Sequence, residues 1–515
     1  MAAYDRIEPE TETHRIEKAL CGLVAEARLP LVHGRVEIVV GEGVHESPVG
    51  QHLLALLVHL LARMKGVVSH IVLVGTSETS RLTGVPLPAD RLVEGLGSLV
   101  DSLSGPASDY RTELIVGRPA GEPDVCLAIG PVIDRMPDLV LGADAWRALL
   151  GRRAVDSRWI DQCPLGPYFA AVLGATEAFK RLLRRNFGWN EGQLLSDLAF
   201  SLLNFGIDET AAVGPDVAEL SLHDLAVAGA GAGGTAVLYT LASFPHLAGD
   251  ATIVEPGNLK ASNLGRYLMS EYEQVHLGLH KLASVRASLD RYAPDLRPRL
   301  EPSPWHTVAG PWGTVICTVD TPEARWDVQR SRPRLIIEAG VVGLLYSVLR
   351  VVPGGWCLEC KIPRDPGITW KRRALRWGLP VEEVRRRFTE GTPVTAEDLA
   401  RLADVQGRQV EDFAPLLGKL FHEVPSLTEC GETPLSLSVP SQAPVLPLVT
   451  SAAGVVVAAE VVKEVTGLGT PLHNVFDHDL RFVPRARRHV FRPRRAECAA
   501  CEPPGARGIK EKRSN

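Results

Sequence analysis

The 515 residues carry 56 Lys and Arg against 61 Asp and Glu, a formal net charge of -5, with 45% hydrophobic and 23% charged residues. Such a length exceeds one ordinary core and implies two or three domains, with the composition of a soluble globular chain. The slight acidity excludes a general nucleic-acid binder.

No apolar run reaches the length of a membrane span, and the opening MAAYDRIEPETETHR is too polar for a signal peptide, so the expected location is the cytoplasm. In that compartment nine cysteines read as metal ligands or nucleophiles rather than as a disulfide framework. The first patterned stretch, EIVVGEGVHESPVGQHLLALLVHLL (37–61), reads as a strand, a turn with Gly41 and Gly43, and a helix. Glu46 stands where a third glycine of a phosphate-binding turn would be. HIVLVG (70–75) and DVCLAIGPVIDR (124–135) read as further strands, the latter with Gly130 at its end, and AAVLGATEAFKRL (170–182) as a helix.

The second half opens on AVAGAGAGGTA (226–236), with Gly229, Gly231 and Gly234 at G-x-G-x-x-G spacing between an apolar run and a helix of roughly 235–243. Bare backbone N–H groups and the helix dipole at such a turn favour phosphate. The next strand, ATIV (251–254), ends in Glu255, about 20 positions past the turn, where a carboxylate can accept ribose hydroxyls or can be a solvated strand end. Both signals fit NAD and ATP alike.

Then come Ser262, Asn263, Leu264 and Arg266, an S-N-L-x-R, followed by Gly278 and Lys281 as G-x-x-K and by GTVICTVDTPEARW (313–326), a buried strand with Cys317 and then a turn carrying Asp320 and Arg325. Taken alone, Lys281 reads as a solvated helix charge and Asp320 as a helix cap. In this order they resemble the ubiquitin-activating-enzyme-like family, which includes the ThiF and MoeB adenylyltransferases. The resemblance implies ATP as a reagent: the glycine turn on the phosphates, Glu255 on the ribose, Asn263, Arg266 and Lys281 on the triphosphate, and Asp320 on Mg2+. Three positions depart from the family pattern: Gly257 for a second acid, Tyr267 for Gln and Thr321 for Asn.

Cys357 and Cys360 in PGGWCLECKIP and Cys498 and Cys501 in RAECAACEPPG form two C-x-x-C pairs. Four thiolates are the tetrahedral set of a structural Zn2+; two redox pairs are the other reading. The resemblance favours zinc, since the family often splits its pairs this way. Cys430, in SLTECGETPLSLSVP before a helix at 448–466, resembles the thioester cysteine of the family's crossover loop, with an incidental loop thiol as the alternative.

The two halves match. Gly41 to Gly130 spans 89 positions and Gly229 to Asp320 spans 91, Arg135 falls on Arg325, and Glu177 and Lys180 fall on Glu460 and Lys463. The fold class expected is therefore α/β, with two Rossmann-like doubly wound domains in one chain, a degenerate N-terminal copy and an active C-terminal copy, plus a zinc-binding element and a helical insertion.

The expected divisions are 1–200, 201–363, a basic helical insertion 364–430 with Thr395 as a cap, 431–502, and a disordered tail 503–515. YDRI (Tyr4 to Ile7) is faintly similar to a Y-x-R-Q by which one half lends an arginine to the other. The family implies adenylation of the C-terminal carboxylate of a small ubiquitin-like or sulfur-carrier protein, or of a precursor peptide, by an intramolecular pseudo-dimer. An NAD-dependent oxidoreductase and an inactive binding scaffold stand as other classes; S-N-L-x-R and Asp320 argue against the first.

Overall fold

The structure is a computed structural model. It describes residues 32–362, 370–421 and 446–501, less 83, 106–107, 109, 118–120, 133–135, 154, 191, 371–372, 376, 407–408, 485–488, 496–497 and 499. Tyr4–Ile7, Cys21, Arg135, Cys430 and the tail 503–515 lie outside the described residues. The chain divides into two compact units, one of Met1–Gly355 with Pro444–Arg492 and one of Trp356–Ala443 with Pro493–Asn515.

The first unit holds two sheets. The N-terminal one is built from β1 (Gly34–Val40), β2 (Val68–Val74), β3 (Glu113–Val116), β4 (Val125–Ile129), β5 (Leu139–Ala143), β6 (Arg147–Gly151) and β7 (Leu198–Ser201), in the order β3-β2-β1-β4-β5-β6-β7. Its helices are α1 (Pro48–Arg63), α2 (Leu92–Ser102) and α3 (Leu165–Phe187). The C-terminal sheet uses β8 (Glu219–Ala228), β9 (His246–Val254), β10 (Leu296–Glu301), β11 (Thr314–Cys317), β12 (Leu335–Val342), β13 (Leu345–Arg350), β14 (Val475–Asp479) and β15 (His489–Val490), in the order β10-β9-β8-β11-β12-β13-β14-β15. With it go α4 (Ala232–Ala242), α5 (Tyr272–His276), α6 (Lys281–Tyr292), α7 (Pro322–Arg330) and, far along the chain, Pro447–Thr466.

The strand order is the same in both sheets over seven strands, and β15 adds an eighth at the edge of the C-terminal one. In each, the first five strands are parallel and the next two antiparallel. The central strands are buried along nearly their whole length, as expected where helices cover both faces. The repeat extends to an unusual detail. On α3, Lys180 pairs with Glu177 and donates to the Gln193 carbonyl at 2.6 Å, while Glu177 Oε2 accepts from Leu195 N at 3.0 Å.

On Pro447–Thr466, Lys463 pairs with Glu460 at 2.7 Å and donates to the Thr470 carbonyl at 3.1 Å, while Glu460 Oε2 accepts from Leu472 N at 2.9 Å. All four side chains are fully buried, and burial pulls both lysines below their ordinary range against the opposing carboxylates. One ion pair thus staples the same helix to the same following segment in both halves. A single hydrophobic core runs through both, and between them Tyr168 stacks on Tyr239 and donates to Ser243 Oγ at 2.6 Å.

The second unit has its own core of Trp377, Val384, Leu399, Leu402, Phe413 and Phe421. It contains α8 (Leu358–Lys361), α9 (Val381–Glu390) and α10 (Ala396–Gln406); the long C-terminal helix Pro447–Thr466 of the first unit is α11. Thr395 caps α10 as expected, accepting from Asp398 N while Asp398 accepts in return from Thr395 N. The charges of α9 fall mainly on the exposed side, where Arg386 pairs with Glu383 and Glu390. No helix among the described residues is long and apolar enough to cross a membrane.

Candidate nucleotide site and four-cysteine centre

β8 ends at Ala228 and the chain turns through the three glycines into α4. Two of the three are required by the protein itself. Gly229 has φ +94°, which L side chains rarely adopt, and a Cβ on Gly234 would stand 2.0 Å from the Gly229 carbonyl oxygen. Gly231 differs: it is extended, and its Cβ would meet only the Tyr267 hydroxyl, at 3.6 Å. As the N-cap of α4, it also offers no side chain to the first N–H groups of the helix.

The carboxylate of Glu255 lies under this turn. Its Oε2 accepts from Ala230 N at 2.9 Å, and its Oε1 accepts from Gly257 N and from Lys281 Nζ, both at 2.9 Å. Lys281 is the first residue of α6 and is half-buried, so it is no solvated helix charge. Burial pulls its pKa down, but Tyr267 and Glu255 outweigh it and leave the ammonium above its usual range. The space for that contact comes from Gly257, where a Cβ would be 3.1 Å from Lys281 Nζ. One departure from the family pattern is therefore tied to the lysine's place.

Asn263 is buried in a short 3-10 turn, Ala261–Asn263, and its Oδ1 accepts from Lys260 N at 2.9 Å. Arg266 is half-buried with its guanidinium carbon 5.9 Å from the centre of the Tyr267 ring; Lys281 Nζ is 5.7 Å from the same ring. Asp320 is exposed in the loop after β11, next to Val319, whose N–H flanks Gly229. The helix cap is supplied by Thr321, which accepts from Ala324 N at 3.3 Å, not by Asp320.

Arg325 is not in the turn expected after this strand. Pro322 at the first position starts α7, and Arg325 is buried on it, paired with Glu338 of β12 and donating to the Val319 carbonyl at 3.1 Å. The contacts therefore link the glycine turn, Glu255, Lys281, Tyr267 and Val319 into one locality at the carboxyl ends of the parallel strands. Cys317 is buried in β11, and Cys430 lies outside the described residues.

The corresponding glycines of the N-terminal sheet are packed closely against protein. A Cβ at Gly130 would be 2.7 Å from Val44 and 3.2 Å from the Trp159 ring, and a Cβ at Gly41 would be 2.6 Å from the Pro131 carbonyl. The start of α1 is already capped by Ser47, which accepts from Gly50 N at 3.0 Å. Neither spacing nor composition singles out Trp159, which arrives from a loop.

In the second unit, Cys357, Cys360, Cys498 and Cys501 converge, with all four sulfurs within 4.8 Å of one another. Sulfur separations are 3.6 Å for Cys357–Cys498, 3.5 Å for Cys360–Cys501 and 3.3 Å for Cys357–Cys501, well beyond a disulfide bond. Four Zn–S bonds of ~2.3 Å in a tetrahedron imply sulfur separations of about 3.8 Å, so the cluster has nearly the needed dimensions. Backbone donors also face the sulfurs: Cys360 N to Cys357 and Arg495 N to Cys360, each at 3.4 Å. Such bonds stabilise thiolates and orient them toward a metal. The first pair does not open a helix in the manner of a redox motif, since α8, which Cys357 caps, is a single turn.

Comparison with known proteins adds a lineage. Residues 210–500 match the ThiF family. The uncharacterised protein y4jF of Sinorhizobium fredii (strain NBRC 101917 / NGR234) is 25% identical over 360 residues, covering 67% of this chain and 68% of that protein. Among solved structures, Escherichia coli MccB crystallised with succinimide has a TM-score of 0.32 and 15% identity over 54% of this chain and 65% of that one. The same protein crystallised with ATP gives 0.32 and 13%, over 54% and 65%. The chain thus spans just under two thirds of the length of those structures. With more than half its residues matched, carrying a glycine turn in a doubly wound sheet, this chain belongs to the ThiF family.

Proposed function

We propose that the chain activates a carboxylate with ATP. A carboxylate oxygen attacks the α-phosphorus, the bond to the bridging β-phosphate oxygen breaks, and the products are an acyl-adenylate and pyrophosphate. The observation that carries this reading is Gly231, a glycine that the protein's own packing does not require, at the bare N-terminus of α4. A missing side chain there makes room for a phosphate to approach backbone N–H groups.

The other roles follow from charge and position. Glu255, at the end of β9, would accept the ribose hydroxyls, exchanging part of its present bonding with Lys281 for them. Lys281, freed or shared, would turn to the phosphates together with Arg266 and Asn263, offsetting charge that grows on the leaving pyrophosphate. Asp320, exposed beside the turn, would hold Mg2+, whose charge screens the triphosphate from the incoming carboxylate. The four-cysteine centre would hold a Zn2+ with no open position, a structural role.

The acyl donor we favour, on the family resemblance, is the C-terminal glycine carboxylate of a small ubiquitin-like or sulfur-carrier protein. If Cys430 acts, it takes the acyl group from the adenylate as a thioester and releases AMP. The test is ATP–pyrophosphate exchange with purified chain, Mg2+ and a carrier protein ending in Gly-Gly, with a precursor peptide in a parallel arm. Exchange stimulated by the carrier supports the reading. Exchange stimulated only by the peptide moves the substrate, and NAD binding without any exchange overturns the reaction.

A further inference from the structure

Arg63 is the last residue of α1, in the N-terminal half, yet three of its four partners lie some two hundred positions away. Its side chain is 1% exposed. Nη1 donates to the Leu264 carbonyl, Nη2 donates to the carbonyls of Leu268 at 3.2 Å and Ser270 at 2.8 Å, and Nε donates to His59 Nε2 at 2.9 Å. The three carbonyls bracket Arg266 and Tyr267. His59 is itself fully buried, so its imidazole stays neutral and can accept at Nε2: burial first, then the Arg63 charge, hold it far below the usual range.

A guanidinium buried on three carbonyls is a costly device. Taking the charge out of water is unfavourable by several kcal/mol before any bond is made. What it achieves is a fixed geometry: a planar fork has donors in set directions, and each carbonyl it holds is a point of the 264–270 backbone that cannot drift. An apolar side chain could fill the space but would leave those carbonyls without donors.

We infer that Arg63 is a positioning residue through which the N-terminal half holds the 264–270 segment, and with it Arg266 and Tyr267, in the shape needed to bind ATP. The inference rests on the reading of that segment as part of the nucleotide site. It gives the degenerate half a definite role, since the site is completed from across the pair of halves, through backbone anchoring and not through a residue that touches the nucleotide.

The experiment uses full-length Arg63→Met and Arg63→Lys proteins, ATP·Mg2+ titration, and deuterium uptake of peptides from 262–272, with peptides from 475–479 as reference. Removing the fork should speed uptake in 262–272 and weaken ATP binding roughly 10-fold or more, as expected where a charge-assisted bond from Arg266 is lost. Arg63→Lys, a single point donor, should recover only part of the loss, and it carries the test if Arg63→Met does not fold. Wild-type uptake in 262–272 with either folded variant overturns the inference. Uptake that rises equally in 475–479 also overturns it, as a general loosening. If the wild-type protein binds no ATP, the reading of the site fails, and the uptake comparison alone still decides whether Arg63 anchors the segment.

Discussion

The contrast between Gly231 and Gly234 can be turned into a measurement that separates fold from site. Gly234→Ala would put a methyl 2.0 Å from the Gly229 carbonyl oxygen, so that backbone must retreat by about 1 Å to restore contact distance. Overpacking of this kind costs about 1–3 kcal/mol. A loss of 1 kcal/mol lowers Tm by roughly 2–4 °C in a domain of 150–250 residues, so Gly234→Ala should melt several degrees early. Gly231→Ala should not. Its backbone is extended, its Cβ meets nothing closer than 3.6 Å, and the small loss at the N-cap is offset by a stiffer unfolded chain.

The same methyl lies where a phosphate would approach the first N–H groups of α4. Losing one charge-assisted hydrogen bond, at about 1.5–3 kcal/mol, weakens ATP binding roughly 10- to 150-fold. The assay is calorimetric titration with ATP·Mg2+ beside a melting curve without nucleotide. The expected pattern is normal Tm with weak ATP binding for Gly231→Ala. Wild-type affinity in that variant would refute the assignment of the turn as the phosphate site, whatever Gly234→Ala does.

Other outcomes follow from the same structure. Asp320→Ala and Arg266→Ala should each lower ATP–pyrophosphate exchange on the order of 100-fold, while Cys430→Ala should leave exchange intact and abolish only a thiol-sensitive acyl-enzyme bond. Cys357→Ser should remove a stoichiometric zinc measured by mass spectrometry; a preparation that never contains zinc would count against the four-thiolate site. Glu460→Gln removes the buried carboxylate that pairs with Lys463 and Arg350, and denaturant titration should show a loss of about 3–5 kcal/mol. His52 is fully buried against Tyr168, and desolvation holds its pKa down to about 3. Its folded value lies below its unfolded one, so the unfolded state binds more protons and stability falls as pH drops from about 6.5 toward 3, by about 1.4 kcal/mol per pH unit. Melting curves of His52→Phe should depend less on pH across that window.

Much of the C-terminal sheet is legible in the chain because its signals are local. Glycines that a turn requires, an acid at a strand end and thiols in C-x-x-C pairs are each dictated by neighbours a few positions away. The repeat is legible for a different reason: Glu177 and Lys180 keep the same spacing as Glu460 and Lys463 because each pair must be buried together. What escapes is whatever depends on a distant partner. Lys281 has two readings in the sequence, ligand or solvated charge, and neither includes the Glu255 carboxylate it holds. Arg325 looks like part of a turn until Glu338, on the next strand, appears beside it. Arg63 has no signal at all, since an arginine ending an apolar helix is ordinary, and its carbonyl partners belong to no side-chain pattern.

Joining two such halves in one polypeptide has a genetic consequence. Each keeps the other at an effective concentration in the millimolar range, so their union survives any dilution. In an assembly of separate subunits, a damaged copy can be compensated by an intact one that takes its place. Here every molecule carries one Arg63 opposite its own Leu264–Ser270, and no exchange can replace it. Mixing an Arg63 variant with a chain defective only in Arg266 should therefore restore nothing: lesions in the two halves belong to one complementation group.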